Sequence, residues 1–529
     1  MLSSCRSEIS LSRGQIRNAT SGLEMGNVKT LRTKLSKIVL DVVERRPQLD
    51  LGGWQELVEI RANQREQANE ALLRASPPPG MTLQYRQLIL VDIFDIQDHQ
   101  TIVSAARRLF RDDPLREDDW LEGSLLQIQG GSSGLIGVIH SGRRDFLGIG
   151  SRAVIPKLPV DVDYIEVKFH KILPSFILLA YHIHLSTDFA DSLASVLASA
   201  PLPEVTLYNL IPRKNRVSWC ETGAETARQK AVAVHIRATQ RSVELIVRKH
   251  FRGLLSQPKR RGEPQLPSLA YLATSAAPGG YWAYKSWTDA NAYALANLSI
   301  SLDLDGYFSS SGAFSVNSTR SLKPSDYSFI SFQAPGTELP AGRQNRTVQY
   351  EMSGVLNTLA VRALVQQFAI SVKGLRKAAY PSSTGLLRRL TNERFVGGIL
   401  KFCRAVQRLD DRLLRLEAEL TENEFLWRRQ LSGVRRYVAF GIVQERRRTA
   451  ALSDDLWSMT LWDISAVKVH ATRLRSFLQD LVASANVLVT YRLQVVVIVL
   501  TFATIVVAVG AGWSSFKDFF ADLRHLLHR

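Results

Sequence analysis

Apolar residues recur at alternating spacings of four and three along two stretches in the later part of the chain. The first series is Phe395, Ile399, Phe402, Val406, Leu409, Leu413, Leu416 and Leu420, and the second is Val467, Ala471, Leu474, Leu478, Leu481, Ala485 and Leu488. This spacing is typical of the seam of a coiled coil. The pattern predicts a helical stalk over residues 353–492 through which the chain associates with a second copy of itself.

The second series leads directly into an apolar stretch. Leu493 to Trp513 contains 21 residues without a formal charge, and Thr501 and Thr504 are the polar groups near its middle. A helix of that length crosses a hydrocarbon layer of about 30 Å, and Trp is enriched at membrane interfaces. We therefore predict a single transmembrane helix over residues 493–513. Residues 514–529 are expected to form an amphipathic helix in the interface.

Towards the N-terminus the pattern changes from helical to mixed. Residues 1–27 are expected to be disordered and residues 28–76 to form a helical hairpin. Apolar runs with strand and helix periods alternate over residues 81–255, which predicts an α+β domain. Residues 256–268 are predicted to be a linker and residues 269–350 a region of strands and loops. The predicted fold class is thus a cytoplasmic α+β domain, a long helical or coiled-coil region and one C-terminal transmembrane helix.

Particular runs predict individual elements of the α+β domain. The expected strands are Leu88 to Ile96, Leu125 to Gln129, Leu135 to His140, Phe146 to Ile149, Tyr164 to Phe169 and Phe176 to Leu185. The expected helices are His99 to Arg111, Asp188 to Ser199 and Glu225 to Leu255. Branched and aromatic residues favour the strands, and apolar positions at helical spacing favour the helices.

The formal net charge of +18 indicates anionic partners. For a chain with a membrane span, the anionic cytoplasmic leaflet is the first candidate, and nucleic acid is the second. No helix-turn-helix, finger or RNA-recognition pattern supports nucleic acid. The three cysteines are far apart, which favours a reducing compartment. Without a secretory signal pattern, we expect the cell membrane as location, with the bulk of the chain in the cytoplasm.

A cluster of arginines in the helical region is a candidate contact for anionic lipid or phosphate. Its members are Arg428, Arg429, Arg435, Arg436, Arg446, Arg447 and Arg448. Guanidinium groups bind phosphate in bidentate geometry, and the nearby span favours a lipid phosphate. The alternative is a solvated helix face, which is the usual explanation of a charge run.

His182 and His184 are a candidate metal pair. They stand two residues apart on a predicted strand, so both project from one face, and His170, Glu166 and Asp188 are near in sequence. No spacing fixes a third ligand. In the alternative arrangement the histidines face solvent while Tyr181, Ile183 and Leu185 face the core.

The segment Gly130-Gly131-Ser132-Ser133-Gly134 satisfies the GxSxG pattern of hydrolases. In those enzymes the serine follows a strand and precedes a helix. Here a strand is predicted from Leu135 onwards, which favours a glycine-rich hairpin turn. Phosphate-loop, zinc-protease, dinucleotide and kinase motifs do not occur in the sequence, so we assign no catalytic residue and no cofactor.

The order of an α+β domain, long helices and a stalk helix that enters the membrane, notably over Asn486 to Val509, resembles that of CorA-type divalent-cation transporters. The chain departs from that family because Gly510-Ala511-Gly512-Trp513 stands where a Gly-Met-Asn motif follows the first span. The family's second span is also missing. The resemblance therefore implies an oligomeric helical stalk, and no functional residue is carried over.

These observations predict a C-terminally anchored, self-associating, non-enzymatic membrane protein. Its cytoplasmic domain would bind or sense a ligand and transmit that state along the stalk. A CorA-like ion transporter or an effector that perturbs the membrane is the first alternative, with Thr501 and Thr504 as the groups that line its path. A membrane-tethered hydrolase centred on Ser132, or on the strand of His182 and His184, is the second.

Overall fold

The computed structural model describes most of the chain from Leu83 to Leu527. The described residues are 63, 83–111, 118–126, 133–142, 151–198, 204–207, 219–222, 224–256, 266–275, 281–298, 300, 306–316, 326–332, 341–379, 393–440, 442–443, 446–447 and 451–527. The predicted N-terminal segment 1–27, nearly all of the helical hairpin 28–76 and most of the linker 256–268 lie outside these residues.

The described part is an α+β fold built on one ten-stranded mixed sheet. The strand order is β12-β9-β10-β11-β8-β1-β5-β4-β2-β3. The strands of this sheet are β1 (Leu83–Asp95), β2 (Ser133–His140), β3 (Arg152–Val154), β4 (Val162–Leu173), β5 (Phe176–Leu185), β8 (Ser268–Thr274), β9 (Gly306–Ser309), β10 (Gly312–Val316), β11 (Asp326–Phe332) and β12 (Val438–Phe440). Two short hairpins pair β6 (Glu204–Leu207) with β7 (Trp219–Thr222) and β13 (Ile442–Val443) with β14 (Arg446–Arg447).

Nine α-helices and two short 3-10 helices fall within the described residues. The α-helices are α1 (His99–Leu109), α2 (Asp118–Leu126), α3 (Thr187–Ala198), α4 (Ala224–His250), α5 (Tyr281–Asn297), α6 (Ala341–Ala379), α7 (Glu393–Glu422), α8 (Glu424–Gln430) and α9 (Leu452–Leu527). The 3-10 helices are Ile96–Asp98 and Leu431–Val434.

Strand β1 is the centre of the sheet and of its core. It pairs antiparallel with β5 on one side and with β8 on the other. Leu88 to Val91 are nearly inaccessible on both faces, as a branched apolar run requires when both faces are covered. One face carries Asp92 and the ring of Phe169, which packs against Trp120 of α2. On the opposite face Phe314 packs against Tyr437.

The described residues form two compact units. The first contains the sheet, α1 to α5, α6 up to Ala360, and Arg428–Asp455; the second contains Val361–Trp427 and α9 from Leu456 onwards. Within the second unit, Lys468 of α9 pairs with Glu417 of α7 at 2.7 Å, and Arg475 pairs with Asp410 at 3.0 Å. Since the sequence numbers rise along one helix as they fall along the other, α7 and α9 run antiparallel.

The predicted seams contribute buried residues to this second unit. The buried members are Val406, Leu413, Leu416 and Leu420 on α7, and Val467, Ala471, Leu474 and Leu478 on α9. These side chains are buried within a single chain. At these eight positions the heptad pattern is accounted for by packing within one chain, and association with a second copy stays a prediction.

The structure differs from the sequence-based expectation in two elements of the first unit. Leu125 and Leu126, predicted to begin a strand, end helix α2 instead, because Leu125 is buried one helical turn after the buried Leu121. The predicted strand and loop region 269–350 contains the helix α5 of 17 residues. Its strands β8 to β11 extend the same sheet as β1, β4 and β5 instead of forming a separate region.

Candidate functional site

A row of polar side chains crosses three neighbouring strands on the face of the sheet opposite Asp92. Gln87 of β1 pairs with His184 of β5, which pairs in turn with Tyr164 of β4, and His182 pairs with Glu166. Directly paired residues in a sheet project to the same face, so these side chains are neighbours. We call Gln87, Tyr164, Glu166, Lys168, His182 and His184 the polar row.

The carboxylate of Glu166 occupies the middle of the polar row. Its Oε2 atom lies 2.6 Å from Nζ of Lys168 and 3.6 Å from Nε2 of His184. The same ring nitrogen of His184 lies 2.6 Å from Nε2 of Gln87. The ring of Tyr164 stacks on that imidazole with centroids 4.0 Å apart. Between 17% and 20% of the side chains of Glu166, Lys168 and His184 is exposed, so the row is reachable from solvent.

The electrostatics of the row keep Glu166 ionised. Burial by itself raises its pKa, but the hydrogen bond with His184 and the charge of Lys168 outweigh burial and lower the pKa to about 2. Burial, with the nearby charges of Glu166 and Asp163, raises the pKa of Tyr164 to about 12. At neutral pH the carboxyl group of Glu166 is therefore ionised and the phenol of Tyr164 is neutral.

Two histidines on the same face are held neutral. Burial and then the charge of Lys168 lower the pKa of His182 well below its usual range, and the same two causes lower that of His170 to about 4. His182 is 3% exposed, and neither of its ring nitrogens has a hydrogen-bond partner among the described residues. A neutral imidazole offers one donor and one acceptor, and burying both without partners is unfavourable. His182 is therefore a member of the row with two ring nitrogens available for hydrogen bonds.

Of the residues predicted to surround the metal pair, the structure brings some together and leaves others apart. His182 and His184 do share one face with Glu166, but Asp188 is exposed in the first turn of α3. Among the described residues, no group of three His, Cys, Asp or Glu side chains is arranged to hold a metal ion. The alternative of solvent-facing histidines is wrong for His182, because the sheet is covered on both faces there. What this row can do chemically is donate and accept hydrogen bonds.

On the opposite face, Asp92 fastens the chain that follows helix α4. Its carboxylate accepts hydrogen bonds from the backbone N–H groups of Ile93 at 2.8 Å, Gly253 at 2.9 Å and Leu255 at 3.0 Å, and from the hydroxyl of Ser256. Burial raises the pKa of Asp92 to about 6, although all four donors act to lower it. Asp92 thus has a structural role.

The arginine cluster is divided by its contacts. Arg436 forms an ion pair with the buried carboxylate of Glu351, which also accepts a hydrogen bond from Tyr437 at 2.7 Å. Arg428 pairs with Asp454 at 3.6 Å. Arg429 and Arg435 are exposed, whereas the side chains of Arg446, Arg447 and Arg448 lie outside the described residues. Arg436 therefore fixes the segment before β12.

Helix α9 contains the predicted span within 76 continuous helical residues. Thr490–Arg524 has the length and composition of a membrane-crossing helix, and none of its most apolar window is buried. Leu493 and Trp513 are both largely exposed. The predicted interfacial segment 514–529 continues the same helix as far as Leu527.

The two threonines of the span bond to their own helix. Thr501 donates to the carbonyl of Val497 at 2.7 Å, and Thr504 donates to that of Leu500 at 2.8 Å. This back-bonding satisfies both hydroxyls inside an apolar helix.

Ser132 of the GxSxG segment lies outside the described residues. The segment that follows it is strand β2, Ser133–His140, as predicted from Leu135 onwards. A helix in that place is what a nucleophile elbow requires. The strand therefore does not fit a nucleophile elbow, and since helix α2 ends at Leu126, the described residues place no strand before the glycine segment for a hairpin turn to join.

Comparison of the sequence with models of known protein families gives no match, and comparison with curated proteins gives none either. The function is accordingly argued from geometry alone. Sequence reasoning did not single out Gln87 or Asp92. The signal was available for both, because each is a polar residue within the buried strand sequence LQYRQLILVDIFD.

Proposed function

We propose that this protein is a single-pass membrane protein anchored by helix α9, with the bulk of the chain in the cytoplasm. The observation that carries the proposal is the contrast between two apolar helices. Glu351–Arg376 of α6 and Thr490–Arg524 of α9 both have the length and composition to cross a membrane, but the first window is 78% buried and the second 0%. A core helix buries its apolar surface, whereas α9 exposes it on all sides.

Exposure of this kind is costly in water. Transfer of apolar surface out of water is worth roughly 25 cal/mol for each Å². The side chains of Val497, Ile498 and Phe502 are each more than half exposed, and mean hydropathy over the window reaches 2.7. A helix that is apolar all round needs an apolar solvent, and its 35 residues exceed the length that a bilayer requires.

The polar row is the part of the first unit to which we assign ligand binding. Its support is the combination of a partly exposed ion pair, Glu166 with Lys168, and the buried imidazole of His182, whose nitrogens lack partners among the described residues. In this proposal the row binds a polar ligand and helix α9 attaches the binding unit to the membrane. Self-association remains part of the proposal and must use surfaces other than the buried seams.

The anchoring proposal is tested by extraction of membranes at alkaline pH. The full-length protein should stay in the membrane pellet, because a spanning helix resists extraction. The double substitution Val499→Arg with Ile505→Arg should release it, since each arginine near the centre of a span costs about 3 kcal/mol. Val469→Arg, at an exposed apolar position of α9 outside the span, is the matched control and should leave the protein in the pellet. Complete release of the unmodified protein would refute anchoring.

The alternative of an ion-transporting or membrane-perturbing protein makes a different prediction. Thr501 and Thr504 would line its path, yet both hydroxyls already bond to carbonyls of the helix. Vesicles loaded with an ion-sensitive dye and carrying the full-length protein separate the two proposals. Unchanged leakage supports a passive anchor, whereas leakage that falls on Thr501→Val and Thr504→Val would support the alternative.

A further inference from the structure

The ion pairs between α7 and α9 fix where α7 begins relative to the apolar part of α9. Glu417 pairs with Lys468 and Asp410 with Arg475, so seven residues back along α7 correspond to seven residues forward along α9. Both helices are continuous beyond these pairs. If this register is continued along both helices, Glu393, the first residue of α7, lies level with Arg492 of α9.

The burial of α9 agrees with this register. Among the described side chains of α9, Leu478 is the last that is buried, and every described side chain from Thr490 to Arg524 is exposed. The cover over α9 therefore ends between the levels of Leu478 and Thr490, which the register places at Gln407 and Phe395 of α7. It follows that the beginning of α7 is level with the beginning of the proposed membrane span.

Charge is distributed unevenly along α7 and the chain before it. Residues 373–408 contain nine Lys or Arg and one acidic residue, Glu393, whereas residues 409–424 contain two Arg and six Asp or Glu. Lys373, Arg404 and Arg408 are exposed. The basic end of α7, which we define as Arg394, Lys401, Arg404 and Arg408, is thus its membrane-proximal end.

We propose that the basic end of α7 is a contact surface for anionic lipid headgroups. At 1.5 Å per residue, the helix positions of Arg394, Lys401 and Arg404 are level with points about 3, 14 and 18 Å before Leu493. Anionic lipid attracts basic residues over about one Debye length, roughly 8 to 10 Å, and an arginine side chain adds to this reach. The proposal rests on the anchoring function and adds a lipid preference to it.

The proposed lipid contact is therefore the basic end of α7 and not the arginine cluster that the sequence indicated. Arg436 is paired with buried Glu351 and Arg428 with Asp454, so both guanidinium groups have carboxylate partners within the first unit. The basic end of α7 belongs to the same compact unit as the span. Its positions are therefore tied to the membrane surface by one antiparallel helix pair.

The test counts the lipids that remain bound to the full-length protein. The protein is incorporated into nanodiscs of phosphatidylcholine with a minority of phosphatidylserine and released in a mass spectrometer under native conditions. The triple substitution Arg394→Gln, Lys401→Gln and Arg404→Gln should lower the enrichment of phosphatidylserine on the protein by at least about fivefold, the effect of one basic residue near an anionic surface. The enrichment should also fall as salt is raised.

The matched control removes three exposed arginines elsewhere, by Arg412→Gln, Arg429→Gln and Arg435→Gln. It should retain the enrichment of the unmodified protein. The proposal is overturned if the unmodified protein shows no preference for phosphatidylserine, or if the control loses as much enrichment as the test variant. Alkaline extraction distinguishes the two failures. Release of the protein refutes anchoring itself, whereas retention without lipid preference refutes only the contact surface.

Discussion

Glu417 and Lys468 lie on different helices, 51 residues apart in sequence, with Oε2 and Nζ 2.7 Å apart. Asp410 and Arg475 repeat this contact one heptad further along, at 3.0 Å. The two pairs show that the heptad series of α7 and α9 face each other within one chain. Heptad spacing indicates a helical partner, but it does not indicate whether that partner belongs to the same chain.

The first prediction concerns these ion pairs. Glu417→Lys alone places two like charges together and should lower the free energy of unfolding by about 0.5 to 1 kcal/mol. The double reversal Glu417→Lys with Lys468→Glu should restore most of that loss. The measurement is denaturant unfolding of the full-length protein in mild detergent, analysed as a double-mutant cycle. Additive effects of the two single reversals would mean that the helices are not paired in this register.

The second prediction concerns the contact between Gly253 and Asp92. A Cβ atom at position 253 would lie 2.4 Å from Oδ1 of Asp92 and 2.5 Å from the carbonyl oxygen of Ile93. Gly253→Ala should therefore destabilise the protein by about 2 to 4 kcal/mol, since it separates a buried carboxylate from its donors. Gly374→Ala is the matched control, because nothing lies within 4 Å of its Cβ position in helix α6. The control should be neutral or stabilising by up to about 1 kcal/mol.

Asp92 itself supplies the third prediction. Asp92→Asn keeps one acceptor oxygen and turns the other into an NH₂ group that faces N–H and O–H donors. We expect a loss of about 2 to 4 kcal/mol in the free energy of unfolding, measured at neutral pH. A variant as stable as the unmodified protein would show that the four hydrogen bonds do not hold the end of α4.

The fourth prediction is the pH dependence of His182. Its folded pKa lies well below the ordinary histidine value of 6.5, so the imidazole is neutral in the folded state and the unfolded chain takes up the proton first. Stability is therefore fully present above pH 6.5 and is lost as the pH falls below it. His182→Leu removes this contribution and two buried nitrogens, so it should match or exceed the parent's stability at pH 7. As the pH falls below 6.5, the free energy of unfolding of His182→Leu should decrease by about 1 kcal/mol less per pH unit than that of the unmodified protein.

The contribution of His182 is measured by the difference in the free energy of unfolding between His182→Leu and the unmodified protein at each pH. Asp92, whose pKa is raised to about 6, contributes with the opposite sign. Its stabilising contribution is fully present below 3.8, the ordinary pKa of an aspartate, and is lost as the pH rises through 6. His184→Leu is the control for the imidazole, because it breaks the contacts with Gln87 and Glu166 and should destabilise at pH 7. Strong destabilisation by His182→Leu would instead indicate that its nitrogens are bonded.

Local sequence patterns were sufficient to predict several strands and helices. The run Phe176 to Leu185 predicts strand β5 with its observed bounds, and Leu135 to His140 lies wholly within β2. The continuity of helix and apolar stretch in α9 was also readable, because both depend on near neighbours. The pairing of His182 with Glu166 could be predicted only in part. Spacing along one strand shows which residues share a face, but it does not show which strand lies beside it.

Long-range pairing could not be read from the chain. Strand β12 at 438–440 joins β9 at 306–308, and β8 pairs in parallel with β11 across the helix α5. Such pairings depend on packing and burial that no local window contains. The role of Asp92 has the same origin, because its donors Gly253 and Leu255 lie 161 and 163 residues away in sequence.

The most direct test of the anchoring account is a spin-label scan along residues 490–524 in phospholipid vesicles. Single cysteines are introduced into the full-length protein after Cys5, Cys220 and Cys403 are replaced by serine, and collision rates with oxygen and with a water-soluble nickel complex are measured. The account predicts a continuous stretch of about 20 labels that oxygen reaches and the nickel complex does not, since the helix meets lipid on all sides. Nickel access along the whole segment, or protection that repeats every 3.6 residues, would contradict a membrane span.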